Sequence, residues 1–241
     1  MPKIMIDPGH GGTDPGAVAN GLTEAALNLS LALDIRRILT TEYEGAEIKM
    51  TRETDVFVTL GERARLANEW GADYFVSIHH NASASHVYYG FETYVHDNAS
   101  TASIAYQNVM HSTIMQAMGD QAMKDLGKKR ANFAVLRETN MPAILTENGF
   151  LDHNIDAAKL KTTSFKDALA RGHANGLAQA LGIKKKPSVY EFKDVTQDHW
   201  AYQAIIEAAR KGFISGFPDG TFKPDQPLTR AQMAAILQRL G

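Results

Sequence analysis

The sequence predicts an α/β fold, in which a six-stranded, mostly parallel sheet is flanked by helices and followed by a small helical module. Short apolar runs alternate with amphipathic stretches over residues 1–183, a pattern typical of strands joined by crossover helices. The periodicity then stops in a stretch with three lysines and a proline, which favours a linker at 184–191. Residues 192–241 carry helical patterns of their own, so we expect a second, smaller domain there.

The strands of the first domain are predicted at its short apolar runs. Because right-handed crossovers place helices on both faces of a parallel sheet, most of these strands should be apolar throughout. The predicted strands are residues 3–7, 47–51, 73–78, 91–96, 133–136 and 143–147.

The long helices of the first domain are predicted where apolar residues recur at three-to-four spacing. A helix at 24–41 follows Thr23, a candidate N-cap, and another at 60–70 follows Thr59, which forms a capping box with Glu62. The other two helices are predicted at 100–118 and 164–181.

The second domain is predicted to hold two helices around a glycine-rich loop. The first covers 199–211, and the second starts after Thr229, which forms a capping box with Gln232. We expect Trp200 and Phe222 to pack in the core of this domain. About fifty residues make a thin core, so this domain is expected to lean on a neighbour.

Composition excludes several classes of function. The chain has 25 Lys and Arg against 27 Asp and Glu, and neither domain carries the basic excess of a nucleic-acid binder. The absence of cysteine excludes disulfides, thiolate zinc sites and a cysteine nucleophile, so a transition metal would need His and carboxylate ligands. No apolar run is long enough to suggest membrane insertion, and the first residues lack a secretory signal pattern. We therefore expect either that a signal segment has been cut away or that the protein reaches its site by another route.

Four side chains converge on one edge of the predicted sheet. His10 follows the first strand, His79 closes the third, Glu147 closes the last, and Glu24 opens the first helix. Ligands of open α/β sheets bind outside the carboxyl ends of the strands, which is where these residues are expected.

This set has the composition of a catalytic zinc site. Two imidazoles and one carboxylate fill three positions around zinc, and the remaining carboxylate can serve as a general base. Each residue also has a simpler interpretation: a loop histidine is commonly a surface residue, and Glu24 suits any helix N-terminus. Glu147 is harder to explain this way, because an unpaired carboxylate at the end of an apolar strand is costly. Arg52 and Arg63 suit either a substrate carboxylate or buried ion pairs.

At these residues the chain resembles the zinc-dependent N-acetylmuramoyl-L-alanine amidases of the Amidase_3 family. The resemblance implies zinc bound by His10, Glu24 and His79, a catalytic Glu147, and hydrolysis of the amide between N-acetylmuramic acid and L-alanine in peptidoglycan. The motifs are IDPGHGG from Ile6, MTRETD from Met50, RARLANEWGADYFVSIHHNA from Arg63 and PAILTENGFLD from Pro142.

The second domain resembles an S-layer homology module. The matching stretches are FKDVTQDHWAYQAI from Phe192 and GFISGFPDGTFKPDQPLTRAQMAAIL from Gly212. The resemblance implies binding of secondary cell-wall polysaccharide, with Arg230 as a candidate contact for its acidic groups. Walls are commonly anchored by three modules, so oligomerisation through this one would add avidity.

Taken together, the sequence predicts a two-domain cell-wall hydrolase that uses Zn²⁺ and acts on peptidoglycan outside the cell, or from within a host cell if it is a phage endolysin. Two alternatives stay open. One is a zinc peptidase cutting the stem peptide, although neither HExxH nor a short H-x-x-E pair is present. The other is a non-catalytic wall-binding protein with a vestigial metal site.

Overall fold

The computed structural model describes residues 1–186 and 192–240. The chain divides into two compact units, Met1–Lys186 and Pro187–Gly241, each taken here by itself. The first unit contains a six-stranded sheet, and its strands are β1 (Lys3–Pro8), β5 (Glu47–Met50), β6 (Tyr74–Asn81), β7 (Phe91–Val95), β8 (Asp125–Arg130) and β9 (Ala143–Phe150). Four two-residue strands form two small ladders, namely β2 (Val18–Ala19) with β3 (Leu22–Thr23) and β4 (Tyr43–Glu44) with β10 (Lys184–Lys185).

The strand order of the large sheet is β5-β1-β6-β9-β7-β8. Neighbouring strands are parallel except at β7 and β9, which run antiparallel. The prediction of a six-stranded, mostly parallel sheet flanked by helices is therefore confirmed. The helices of the first unit are α1 (Glu24–Glu42), α2 (Leu60–Trp70), α3 (Thr101–Met118), α4 (Ala134–Arg137), α5 (Asn154–Leu160) and α6 (Thr163–Leu181).

The sheet separates two apolar cores. On one face, Ile6, Val76 and Ile144 pack with side chains from α1, α3 and α6. On the other face, Met5 and Phe75 pack with side chains from α2 and α4. Because α2 and α4 are short, this second core is smaller, and it covers the part of the sheet away from the ends of β6 and β9.

One predicted strand is wrong. Residues 133–136 were expected to form a strand, but Ala134–Arg137 is the short helix α4, which ends on Arg137 after burying Val135 and Leu136. The sixth strand is β8 instead, whose sequence DLGKKR has no apolar alternation and lies mostly exposed at the sheet edge. Lysine is common on edge strands because it discourages pairing with other chains, and this composition hides the strand from a pattern search.

The second unit contains α7 (Tyr202–Arg210) and α8 (Arg230–Leu240). The predicted capping box precedes α8: the Gln232 N–H donates to Thr229 Oγ1 over 3.2 Å, and the Thr229 N–H donates to Gln232 Oε1 over 2.9 Å. Phe222 packs against Phe192, with ring centroids 5.0 Å apart. The expected core position of Trp200 is wrong, since this residue is 92% exposed.

Part of the predicted linker is ordered in the first unit. Lys184 and Lys185 pair antiparallel with Glu44 and Tyr43, so regular structure extends to the fourth residue beyond α6. Residues 187–191 of the predicted linker lie outside the described residues. Among the described helices, none combines the length and apolar character needed to cross a membrane.

Candidate metal centre and active site

Three potential metal ligands meet at the rim of the sheet. His10 lies in the loop after β1, Glu24 is the first residue of α1, and His79 lies near the end of β6. His10 Nε2 is 3.1 Å from Glu24 Oε1, and His79 Nδ1 is 2.9 Å from the same oxygen. One ligand atom from each residue lies within 4.8 Å of the others. Such a set of two imidazoles and a carboxylate fits the donor preference of zinc.

The loop after β1 comes unusually close to the neighbouring strand. A Cβ atom on Gly9 would lie 2.2 Å from the His79 ring, so only glycine lets the two segments approach this closely. His10 itself has a φ of 58°, a left-handed conformation that is uncommon outside glycine. The backbone therefore bends sharply at one of the three potential ligands.

Buried arginines hold this loop. Arg52 donates to the carbonyl oxygens of Pro8 and Gly9, each over 2.9 Å. Arg63 binds the Asp7 carboxylate over 2.7 Å and donates to the His10 carbonyl over 2.8 Å. Their buried guanidinium groups are thus engaged with the protein, which agrees with the interpretation of Arg52 and Arg63 as structural residues.

Acidic neighbours orient the imidazoles. His10 Nδ1 lies 2.8 Å from Asp14 Oδ2, which leaves Nε2 directed at Glu24. This is the arrangement in which a carboxylate fixes the tautomer of a ligand histidine. Burial opposes ionisation of Glu24, but hydrogen bonds from His10 and His79 outweigh it and hold the pKa of Glu24 below its ordinary value. Glu24 is therefore an anion, as a metal ligand must be.

His80 turns away from the centre. Its ring is buried, and His80 Nδ1 lies 2.7 Å from Asn28 Oδ1 in α1. Burial lowers the pKa of His80 to about 3, so the ring is neutral. Alternation along β6 predicts this separation of His79 and His80 onto opposite faces.

Glu147 lies beside the three ligands. It is the register partner of His79 in the parallel pair of β6 and β9. Both strands continue past these residues, to Asn81 and Phe150, so neither side chain closes its strand as expected. Glu147 Oε2 is inaccessible and has no hydrogen-bond partner among the described residues. Burial, together with the charges of Glu24 and Glu92, raises the pKa of Glu147 well above its usual value.

Glu92 is a site residue that the sequence interpretation missed. It is the antiparallel register partner of Glu147 and is buried. Asn81 Nδ2 and the Tyr94 hydroxyl donate to Glu92 Oε1, and Lys129 forms an ion pair with the other oxygen. A signal was available, because a glutamate inside the apolar strand FETYV is as costly to bury as Glu147.

The remaining predicted contact lies in the second unit. Arg230 is exposed and is the first residue of α8, directly after the capping residue Thr229. It therefore stands at a helix N-terminus, as predicted, where an anionic group is favoured.

Comparison with known proteins gives two matches to family models. Residues 4–179 match the family described as N-acetylmuramoyl-L-alanine amidase, and residues 191–234 match the S-layer homology domain. The chain is 53% identical over 188 residues to the sporulation-specific N-acetylmuramoyl-L-alanine amidase of Bacillus subtilis (strain 168). This alignment covers 78% of this chain and 71% of that protein. It is 46% identical to the endolysin of Bacillus phage SPP1, over 76% of this chain and 67% of the endolysin.

A solved structure shares the fold of the first unit. The catalytic domain of CwlV, an N-acetylmuramoyl-L-alanine amidase from Bacillus (Paenibacillus) polymyxa var. colistinus, superimposes with a TM-score of 0.71 and 38% sequence identity. The alignment covers 76% of this chain and 100% of that domain.

Proposed function

Because the chain belongs to the Amidase_3 family of N-acetylmuramoyl-L-alanine amidases and carries an S-layer homology domain, we propose that it is a zinc-dependent enzyme that hydrolyses the bond between N-acetylmuramic acid and L-alanine in peptidoglycan. Amidase action on peptidoglycan follows from the family. The zinc dependence and the residue roles rest on the geometry of the site. The chain acts at the bacterial cell wall, and its likeness to an endolysin suggests a lytic role.

His10, Glu24 and His79 would hold the zinc ion. Their donor atoms lie close to one another. Asp14 holds the His10 ring through a 2.8 Å contact, and the His80 backbone N–H donates to Glu24 Oε1 over 3.3 Å. Zinc, when bound, acts as a Lewis acid that polarises a carbonyl group and lowers the pKa of water to about 7.

Glu147 would act as general base and then as general acid. Its raised pKa suits this double role, because a more basic carboxylate accepts a proton from water more readily and can then return it to the leaving amine of alanine. The single observation that carries the proposal is the position of Glu147. Its unpartnered, inaccessible Oε2 lies on the strand beside the three converging ligand residues. A purely structural glutamate would have a partner for that oxygen.

Replacement of Glu147 tests its role. Glu147→Gln should reduce kcat by at least about 10²-fold, while zinc content and thermal stability stay at wild-type values. Glu138→Gln is a control, because it removes an exposed carboxylate that pairs with Arg137 and contacts none of the four site residues. An active Glu147→Gln enzyme would contradict the assigned role.

Removal of the metal tests the zinc dependence. Chelation should abolish release of intact stem peptides, and added Zn²⁺ should restore it. The products also decide between the alternatives. Cleavage within the stem would indicate a peptidase, and wall binding without any hydrolysis would indicate a binding protein.

The second unit would attach the enzyme to secondary cell-wall polysaccharide. Arg230, at the exposed N-terminus of α8, would contact its acidic groups. One module gives one contact site, so assembly of several chains through this unit would raise the affinity by avidity. Arg230→Ala should weaken binding to purified walls without changing hydrolysis of a soluble substrate.

A further inference from the structure

The strand order gives the catalytic rim two chemically different ends. Across the sheet, the site residues follow the order β1 with His10, β6 with His79, β9 with Glu147, and β7 with Glu92. Beyond β1 lies the loop between β5 and α2, and beyond β7 lies the edge strand β8 with Lys129. A peptidoglycan strand that crosses this rim therefore meets different surroundings on its two sides.

The end beyond β1 exposes large apolar side chains, which follow the exposed Glu53 and Asp55 in the same loop. Val56, Phe57 and Leu60, which we call the apolar ridge, are all exposed, and Phe57 is 52% exposed. The ridge carries no charged side chain of its own, and it is a set of large apolar groups beside a catalytic centre. Exposed apolar groups that cluster at a cleft commonly mark a ligand-binding surface.

The ridge is fixed relative to the metal ligand His10. A Cβ atom on Gly12 would lie 2.5 Å from the Phe57 backbone nitrogen, so the two loops touch backbone to backbone. The Gly12 N–H also donates to Asp55 Oδ1 over 2.8 Å. The Phe57 backbone is therefore held against the loop that carries His10.

The end beyond β9 is charged. Glu92 is buried next to Glu147, and its ion-pair partner Lys129 has 42% of its side chain exposed. Tyr94 lies between them, with its hydroxyl 2.8 Å from Glu92 Oε1 and its ring 5.9 Å from the Lys129 ammonium. A stem peptide that carries carboxylates meets the part-exposed ammonium group of Lys129 here, and the apolar ridge offers no such charge.

The position of the proton donor fixes which part of the substrate lies at which end. In the proposed reaction, Glu147 returns a proton to the leaving nitrogen, which belongs to the stem peptide. That nitrogen must lie within hydrogen-bond reach of Glu147, on the β9 side of His79. The acyl side of the bond, which carries the sugar, then extends in the opposite direction, toward His10 and the ridge.

Resting on the proposed function, we propose that the apolar ridge binds the glycan of peptidoglycan through Phe57, while the stem peptide lies over the charged end at Glu92 and Lys129. The C–H groups on one face of a sugar pack well against an aromatic ring, whose face carries partial negative charge. Phe57 is thus a positioning residue that sets how much saccharide the enzyme recognises.

The test compares two soluble substrates that carry the same stem peptide, one on a single N-acetylmuramic acid and one on a longer oligosaccharide. For the wild-type full-length chain, KM should fall as the saccharide lengthens. In Phe57→Ser, KM for the longer substrate should rise roughly tenfold, with kcat within about twofold of wild type. Phe57→Tyr should restore the wild-type KM, because it keeps the ring.

Ile155→Ser is the matched control, since Ile155 is 50% exposed and lies on α5, which packs on the opposite layer with α6. It should keep the full dependence on saccharide length. Amidation of the stem carboxylates should raise KM by the same factor in wild type and in Phe57→Ser, because the two ends are independent.

The outcomes are distinct. If the wild-type enzyme cleaves neither substrate, the proposed function fails. If it cleaves both, and Phe57→Ser keeps its preference for the longer saccharide, the orientation proposed here is wrong. A Phe57→Ser enzyme that instead loses its response to stem amidation would also overturn it, because the ridge would then hold the peptide.

Discussion

At the scale of single residues, the site depends on groups that contact the ligands as much as on the ligands themselves. Asp14 binds His10 Nδ1, and Glu92 lies against Glu147. The role of Glu92 cannot be assigned from sequence spacing alone. Asp14 could be expected, since aspartates flank His10 in the sequence, but the other flanking aspartate, Asp7, pairs with Arg63 instead.

We predict that Asp14→Asn weakens zinc binding. The amide keeps the size of the side chain but removes the charge that orients the His10 ring, so zinc affinity should fall by about 10- to 100-fold. Competition with a chromogenic chelator measures this. Asp55→Asn is the matched control, because Asp55 bonds to Gly12 in the same loop and touches no imidazole. Equal losses in the two variants would mean that Asp14 acts only on loop structure.

A buried histidine away from the site makes stability depend on pH. His173 is fully buried in α6, where Nδ1 donates to the Leu169 carbonyl over 2.9 Å and Nε2 accepts from Thr146. Burial lowers the pKa of His173 from 6.5 to about 4. Below pH 6.5 the His173 side chain binds a proton in the unfolded chain but not in the folded chain. The free energy of unfolding therefore decreases as the pH falls from 6.5 toward 4.

We predict that His173→Gln reduces this pH dependence. The wild-type free energy of unfolding should fall between pH 7 and pH 5 by about 2 kcal/mol more than that of the variant. Urea denaturation at the two pH values measures the difference. Identical pH dependence in both proteins would mean that His173 has the same pKa in the folded and unfolded states.

At the scale of elements, patterns of apolar residues predict the elements that bury them. The strands around Ile6, Val76 and Ile144 are apolar on both faces and were predicted correctly within a few residues. The edge strand β8 was not predicted, because its stability comes from pairing with β7 and not from burial of its side chains. The apolar run at Val135 and Leu136 predicts a strand as well as it predicts a helix, since a single helical turn buries as many residues.

Packing between α3 and α6 depends on a glycine whose role no local pattern reveals. A Cβ atom on Gly172 would lie 2.7 Å from the Cα atom of Ile114 in the facing helix. The two helices are therefore in backbone contact at this point. Helix propensity alone would favour alanine over glycine here by about 1 kcal/mol. The facing helix, however, leaves no room for the methyl group of alanine.

We predict that Gly172→Ala destabilises the protein by about 1–3 kcal/mol, because the added methyl group forces α3 and α6 apart. Gly61→Ala in α2 is the matched control. The atom nearest to its Cβ is 4.0 Å away, so only helix propensity acts and the variant should gain up to about 1 kcal/mol. Chemical denaturation measures both. A stabilised Gly172→Ala protein would show that the helices can separate without cost.

At the scale of the whole molecule, the two units differ in how they are held together. The first unit has two apolar cores, and the three ligands and Glu147 all lie within it. Among its described residues, the second unit has three buried apolar side chains, Val195, Ile205 and Ala209. The sequence predicts a thin core there. It does not predict that Trp200 stays outside that core, because a single tryptophan in a sequence does not reveal whether its side chain is buried or exposed.

This difference predicts that catalysis and wall attachment can be separated. A chain ending at Lys186 keeps both cores and all four site residues, so its kcat/KM on a soluble muramoyl peptide should stay within about twofold of the full chain. Its binding to purified walls that carry secondary polysaccharide should be lost, because the unit with Arg230 is gone. Co-sedimentation with walls and a soluble-substrate assay measure the two properties.

The full-length Arg230→Ala variant is the control, since it should lose wall affinity while keeping the second unit. Loss of soluble-substrate activity on truncation would show that the second unit is needed for the active fold, and unchanged wall binding would place the attachment site in the first unit.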